Sequence, residues 1–252
     1  MLRRGGAFAL ILAAWWIASH GRLVTPFLLP TPETVLSAAA AMAIDGTLWS
    51  NALVSIGRVL FGFGLATLTA IPLAVVFALR PRLHAFIEPP LEFLRQTPPL
   101  ALIPLLILWL GIGEAQKVGV IVLACFFPIF LGTMGGLAQV DPRLIEVGRV
   151  YGLGPAAIVR RIILPAAAGS IVTGLRLGLG HSWRALVGAE LVAASSGLGY
   201  LIVDAQNLAR TDIVLVGVLV IGILGLLAEI ATRALIRRLM PWVRQQPELG
   251  NA

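Results

Sequence analysis

Six apolar runs, each set off by short clusters of arginine, restrict how this chain can fold. They are Gly5 to Ser19, Val59 to Leu79, Leu100 to Leu110, Val118 to Leu137, Ala166 to Ala194 and Ile213 to Leu235. A more polar stretch from Leu48 begins the second run, and Leu91 to Pro99 lengthens the third. A membrane-crossing helix needs about 20 mainly apolar residues, so the runs predict six spans in an all-α, polytopic membrane protein. Composition agrees, because 58% of the residues are hydrophobic and only 12% charged, against roughly a quarter charged in a soluble domain. A disordered chain, a collagen-like chain and a typical cytosolic enzyme are excluded on that balance. The first run follows Arg3 and Arg4 and has the layout of a signal peptide. It is read here as a retained first span, because its loss would put the termini on opposite sides of the membrane.

Eighteen of the 19 basic residues are arginines, Lys117 being the one lysine, and the formal net charge is +7. Such a balance can serve nucleic acid when the cations share one solvated surface. Here they lie in short groups between apolar runs, so the expected surroundings are membrane lipid, with no nucleic-acid partner. Residues 1–4, 80–95, 141–161 and 233–252 hold thirteen of them, while the intervening connections hold only Arg22, Lys117 and Arg210. Thirteen against three predicts that both termini and the arginine-rich segments face the cytoplasm.

The inventory for catalysis is almost empty. No Gly-x-x-x-x-Gly-Lys-Ser/Thr loop is possible around Lys117, so no ATP is expected through a P-loop of this chain. His20, His84 and His181 are scattered, with no HExxH or CxxC pair, and no metal site is expected. A Gly-x-Ser-x-Gly elbow is absent. The lone Cys125 lies in an apolar run and reads as a small buried hydrophobe. Gly174-x-x-x-Gly178-x-Gly180 reads as close helix packing, not as a dinucleotide loop.

The segment between the fourth and fifth runs is the most informative. Asp141-Pro142 signals a helix start, and Gly152, Gly154 and Pro155 stop and turn it. A short helix, a turn and a second short segment follow, with Leu144, Ile145, Val147 and Val150 available to plug a groove on a cytoplasmic partner or to rest at the membrane interface. The spacing of Glu146, the small Gly148, Gly152 and then Ile162-x-Leu164-Pro165 resembles the E-A-A-x3-G-x9-I-x-L-P loop of ATP-binding-cassette importer permeases. Val147 and Gly148 replace the two alanines. Leu94-Arg95-Gln96-Thr97-Pro98-Pro99, Phe127-Pro128-Ile129, Ala189-Glu190, Ser196-Gly197-Leu198-Gly199-Tyr200 and Leu28-Leu29-Pro30-Thr31-Pro32 are similar to segments of the aliphatic sulfonate, taurine and nitrate permease subgroup. Residues 25 to 240 carry the resemblance.

The resemblance implies a type I importer permease fold, with 1–252 as one transmembrane domain, about 48–240 as its core and about 141–165 as the coupling loop. It implies a bacterial inner-membrane location, a homodimer of permeases, two ATPase subunits that bind ATP and Mg, and an extracytoplasmic substrate-binding protein. No cofactor is implied for this chain itself. Glu146 and Gly152 become the coupling residues, with Val147, Gly148, Arg149, Tyr151, Leu164 and Pro165 beside them. The solute implied is small and anionic, such as a sulfonate, taurine or nitrate.

Charges inside the runs suggest the route. Arg58, Arg176, Arg184 and Glu190 lie in or near proposed spans, where ionised groups face a cavity or a partner. Arg176, Trp183 and Glu190 recur every seven residues on one helix face. Arg176 and Glu190 stand about 21 Å apart along the axis, too far to pair with each other. Together with His181 and Arg184 they are the candidates for a polar lumen, the alternative being structural ion pairs between helices. The rival functions are an ATP-independent carrier or channel and, third, an intramembrane enzyme. Co-purification of an ATPase separates the first reading from the carrier.

Overall fold

The structure, a computed structural model, describes residues 2–21 and 24–240. Arg22 and Arg244, both part of the charge asymmetry, lie outside the described residues. Eleven α-helices and no strands are present among the described residues. In chain order they are α1 (Leu2–His20), α2 (Pro32–Ile44), α3 (Thr47–Leu79), α4 (Pro81–Gln96), α5 (Ile103–Leu110), α6 (Glu114–Ala138), α7 (Pro142–Val150), α8 (Pro155–Ile158), α9 (Leu164–Ala193), α10 (Leu198–Asn207) and α11 (Thr211–Leu239). A 3-10 turn, Pro99–Leu102, leads into α5, and a π turn, Val159–Ile163, joins α8 to α9.

Four helical stretches are long and apolar enough to cross a membrane alone: Thr47–Leu79, Glu114–Ala138, Pro155–Val192 and Thr211–Arg238. The third run departs from its expected form. Leu91 to Gln96 do not extend α5 but belong to α4, and the chain bends by 93° before Pro99. The cause is local. A residue before proline avoids the helical region, and both Thr97 (ψ 121°) and Pro98 (ψ 127°), each followed by a proline, are extended. In α1 the apolar part is Ala9–His20.

Two short helices were not anticipated as elements. α2 starts at a Thr31 N-cap, whose side chain accepts from the Thr34 N–H, with Pro32 at the first helical position. That pairing is a start signal legible in sequence. Between α2 and α3, the Asp45 carboxylate accepts the Thr47 N–H at 2.8 Å, and this backbone bond holds its pKa below the usual carboxylate value. α10 begins after Gly197, whose φ of 110° suits glycine.

Contacts gather into two units, Met1–Gly57 with Val187–Leu224, and Arg58–Leu186 with Gly225–Ala252. In the first, Val35, Met42, Leu48, Ala52, Leu198, Leu201 and Val216 form a core, and the Trp15 indole donates to the Pro30 carbonyl at 2.9 Å. In the second, α3 presents Ala66, Ala70 and Ala74, one per turn, and α6 packs on that shallow stripe with Ile121, Cys125 and Ile129. Small residues let helices approach closely where lipid offers no hydrophobic drive. α6 and α9 meet backbone against backbone. A Cβ on Gly132 would lie 2.7 Å from the Gly174 Cα, one on Gly174 2.8 Å from the Pro128 carbonyl oxygen, and one on Gly136 3.0 Å from the Ala167 carbonyl oxygen.

This seam predicts a contrast within one helix. Gly132→Val drives a side chain into backbone, whereas Gly135→Val meets nothing within 4 Å. Thermal unfolding in detergent should show Gly132→Val destabilised by at least about 1–3 kcal/mol, with Gly135→Val close to the parent. Equal stabilities would contradict the seam.

Candidate functional site

Local sequence fixes the loop helix α7 at both ends. The Asp141 side chain accepts the Arg143 N–H at 2.9 Å at its start. At its end Gly152, at φ 72°, donates to the Arg149 carbonyl, and the Leu153 N–H donates to the Gly148 carbonyl. These paired bonds form the Schellman arrangement, which needs a residue tolerant of the left-handed conformation. Gly148 is buried, and a Cβ there would lie 2.5 Å from the Ile162 Cδ1, so this position closes the turn onto the following segment. Val147 points away, and the exposed side of α7 and its cap carries Leu144, Val147, Val150 (85% exposed) and Tyr151 (81%). Glu146 and Arg149 are also exposed, whereas Ile145 is only partly so.

The segment after the turn runs directly into a span. From Pro155 the helix continues to Val192, widening once at Val159–Ile163, where the Leu164 N–H reaches back five residues to the Val159 carbonyl. A proline inside an α-helix lacks its donor and clashes with the carbonyl four residues back. The wide turn immediately before Leu164-Pro165 accommodates that proline. The segment after the turn thereby joins α7 to the foot of α9.

α9 has two faces of different character. On one, Arg176 donates to Glu229 of α11 at 2.6 Å, and Glu229 also accepts from Arg233 at 2.8 Å. Trp183, on the same face, packs against the core of the second unit, and its indole N–H has no hydrogen-bond partner among the described residues. Glu190, 1% exposed, accepts the Ser55 hydroxyl at 2.8 Å and the Gly199 N–H at 2.8 Å. Ser55 accepts the Leu198 N–H, and Asn51 the Gly197 N–H. Side chains of α3 and α9 thus cap the first amides of α10, groups that a helix start leaves without partners of its own. Gly199 is required there, since a Cβ would fall 2.5 Å from the Glu190 Cβ.

The other face borders a cavity of about 580 Å³. Thr173, Gly174, Leu177 and His181 line it from α9, Leu123, Phe127, Pro128 and Leu131 from α6, and Arg95, Thr97 and Leu102 from the bend between α4 and α5. At 100° per residue, Thr173, Leu177, His181 and Arg184 fall within about 80° of arc. Arg184 therefore continues the cavity face beyond His181. It is exposed, and its Nε donates to the Gly180 carbonyl at 3.2 Å. The structure thus divides the five candidates, with His181 and Arg184 on the cavity face and Arg176, Trp183 and Glu190 on the packed face.

Arg58 and Lys117, the other cations in the spans, are also engaged. Arg58 donates through Nε to Glu114 at 2.7 Å, and Lys117, 2% exposed, donates to the same carboxylate at 3.1 Å. The reading of the sequence passed over Arg95, Thr97 and the acidic side chains of α4. Their signal was present, because Glu88, Glu92 and Arg95 recur at helical spacing on one face of the segment 80–95, which was counted for its arginines.

The family described as binding-protein-dependent transport system inner membrane component matches residues 66–241. The taurine transport system permease protein TauC of Escherichia coli (strain K12) is 38% identical over 242 residues, 94% of this chain and 88% of that protein. The putative aliphatic sulfonates transport permease protein SsuC of Bacillus subtilis (strain 168) is 36% identical, over 93% of this chain and 85% of that protein. The nitrate import permease protein NrtB of a Synechocystis strain is 30% identical, over 91% and 86%. An inward-facing structure of the MetNI methionine ABC transporter superposes with a TM-score of 0.64 over 76% of this chain and 93% of that one, at 19% identity, a likeness of fold.

The buried cap at Glu190 generates a test. Glu190→Leu leaves the Ser55 hydroxyl and the Gly199 amide without their acceptor, and each such buried loss costs about 1–3 kcal/mol. Unfolding in detergent should show a larger loss for Glu190→Leu than for Glu190→Gln, which keeps one acceptor oxygen. His181→Ala, at an exposed position, should stay near the parent. A Glu190→Leu variant as stable as the parent would sink the account.

Proposed function

This chain belongs to the family of binding-protein-dependent transport system inner membrane components, and from that membership we propose how it carries its solute. It is the permease subunit of an ATP-binding-cassette importer, a membrane protein that works with ATPase and substrate-binding partners. The finer assembly we propose is two copies of this chain, each acting as one permease domain, with two ATPase subunits that hold ATP and Mg, in the surrounding lipid. Both termini face the cytoplasm in this reading, which the arginine asymmetry supports.

One observation carries the coupling role: α7 is capped rigidly at both ends yet leaves its apolar side uncovered. A short helix held this way suits docking into a cleft, its apolar side chains filling the cleft and Glu146 and Arg149 bonding at the rim. Gly152 sets its angle, Gly148 its distance from the segment behind, and Leu164-Pro165 the transmission into α9. Force applied to α7 by the ATPase then moves α9, and with it the cavity face.

The cavity is the proposed solute path, with His181 and Arg184 along it, while Arg176, Trp183 and Glu190 support the helix from its packed side. Small anions fit this path, in keeping with the taurine, sulfonate and nitrate named for the relatives. A mid-span arginine facing hydrocarbon would cost at least about 2.5 kcal/mol, so Arg184 belongs in a hydrated path. One hydrated guanidinium attracts an anion without trapping it.

Two experiments check this reading. In the reconstituted importer, Glu146→Ala and Gly152→Val should lower uptake and substrate-stimulated ATP hydrolysis several-fold while the complex still assembles. Normal stimulation in both would contradict the coupling role. For orientation, single cysteines at Leu28 and Asn207, with Cys125 replaced, should react with an impermeant maleimide from outside, and those at Ala85 and Ala156 should not. Reaction at Ala156 from outside would reverse the topology.

A further inference from the structure

α4 carries a feature that the coupling loop and α9 do not explain. None of its residues is buried, although Ile87 and Leu91 touch the core of the second unit. The adjoining flank carries Glu88, Glu92 and Arg95 at i, i+4 and i+7. Beside the main cavity this flank borders a smaller one of about 150 Å³, lined by His84, Glu88, Glu92 and Phe130 among others. Arg95, Phe127 and Leu131 line both cavities, and Arg95 is the one charged side chain the two share.

The present arrangement of Arg95 is a closed fork. Its Nε donates to Glu92 Oε2 at 2.8 Å, its Nη2 donates to Glu92 Oε1, and Gln96 also donates to that oxygen at 3.0 Å. A guanidinium fork matches two oxygens of a carboxylate or of a sulfonate by the same geometry. Both members of the pair are partly exposed, so an incoming anion can reach them. Arg95 sits in the last turn of α4, where a cation is favoured by the helix dipole, and two residues before the extended Thr97-Pro98 bend.

We infer that Arg95 holds the transported anion transiently at the cytoplasmic part of the path, and that Glu92 is an internal competitor that reclaims Arg95 and so releases the anion. This inference rests on the reading of the main cavity as the solute path. A guanidinium that bound the anion unopposed would retain it, and conduction requires a site weak enough to leave. Glu92 lowers the net affinity because each anion bound must break the Glu92–Arg95 pair, and each release re-forms it. Glu92 is therefore a positioning residue that acts through Arg95, and no bond is made or broken covalently.

The test uses the complete importer. Calorimetry with methanesulfonate, a minimal fork-binding anion, is run on the resting complex, and uptake of radiolabelled taurine and of nitrate is run in proteoliposomes. Glu92→Gln should tighten methanesulfonate binding about tenfold, as loss of a charge-assisted competitor implies, while lowering the turnover of uptake. Structural damage would lower both affinity and turnover, so the opposite signs are diagnostic. Arg95→Gln should abolish methanesulfonate binding, and Glu92→Gln with Arg95→Gln should match Arg95→Gln alone. No methanesulfonate binding in Glu92→Gln, or tightening that persists without Arg95, overturns the inference. A Thr173→Trp plug tests the path separately. Unchanged uptake in that variant removes the path reading, whereas blocked uptake with an unaltered Glu92→Gln removes only the role of Glu92.

Discussion

Inside a bilayer no water is at hand to bond a stray backbone amide or an ion, and this constraint orders the rest of the structure. Most charged groups in the spans are matched within the protein, although the buried Gln116 amide and the Trp183 indole N–H have no partner among the described residues. Glu114 takes up Arg58 and Lys117, and Glu229 takes up Arg176 and Arg233. The first amides of α10 are taken up by Asn51, Ser55 and Glu190. The last set shows the economy of the arrangement, since one buried carboxyl group both satisfies itself and starts a helix. Each match also ties together helices distant in sequence, so polar satisfaction sets tertiary placement.

Close packing supplies the second restraint. Where Gly132, Gly136, Gly174 and Gly178 meet, α6 and α9 touch nearly backbone to backbone. Such a contact has little slack, and the two helices form a stiff wall. The cavity opens against this wall and is completed by the bend at Thr97-Pro98, where two prolines prevent a continuous helix. The cavity thus lies between a closely packed helix pair and a proline bend, whose Thr97 hydroxyl donates to the Phe93 carbonyl at 3.0 Å.

A mechanical line then runs along the chain. α7 is set by the Asp141 cap and the Gly152 turn, the π turn carries the helix past Pro165, and α9 carries it to the cavity face. Charges on that face are exposed, and charges on the other are paired. The helical stretch from Pro155 to Val192, widened at Val159–Ile163, is what joins the α7 turn to His181 and Arg184.

The sequence alone determined the class of fold, the principal spans and the loop helix, because each depends on neighbours in the chain. Apolar run length, the Asp141-Pro142 start and the Gly152 stop act over a few residues, so they can be read without knowing the fold. α2 was equally legible from Thr31-Pro32 but was read only as part of a connection. The tertiary structure decided what the intramembrane charges do. Heptad spacing placed Arg176, Trp183 and Glu190 together on one face and suggested a lumen, and spacing holds no record of the partner across from that face. Glu229 lies 53 residues from Arg176, and Ser55 lies 135 from Glu190. The cavity face of His181 and Arg184, and the place of Arg95 on the cavity lining just before the bend, likewise became visible only once α4, α6 and α9 were placed together. Periodicity fixes which side of a helix a residue occupies, whereas desolvation and the partner on that side fix whether its charge is paired or open to water.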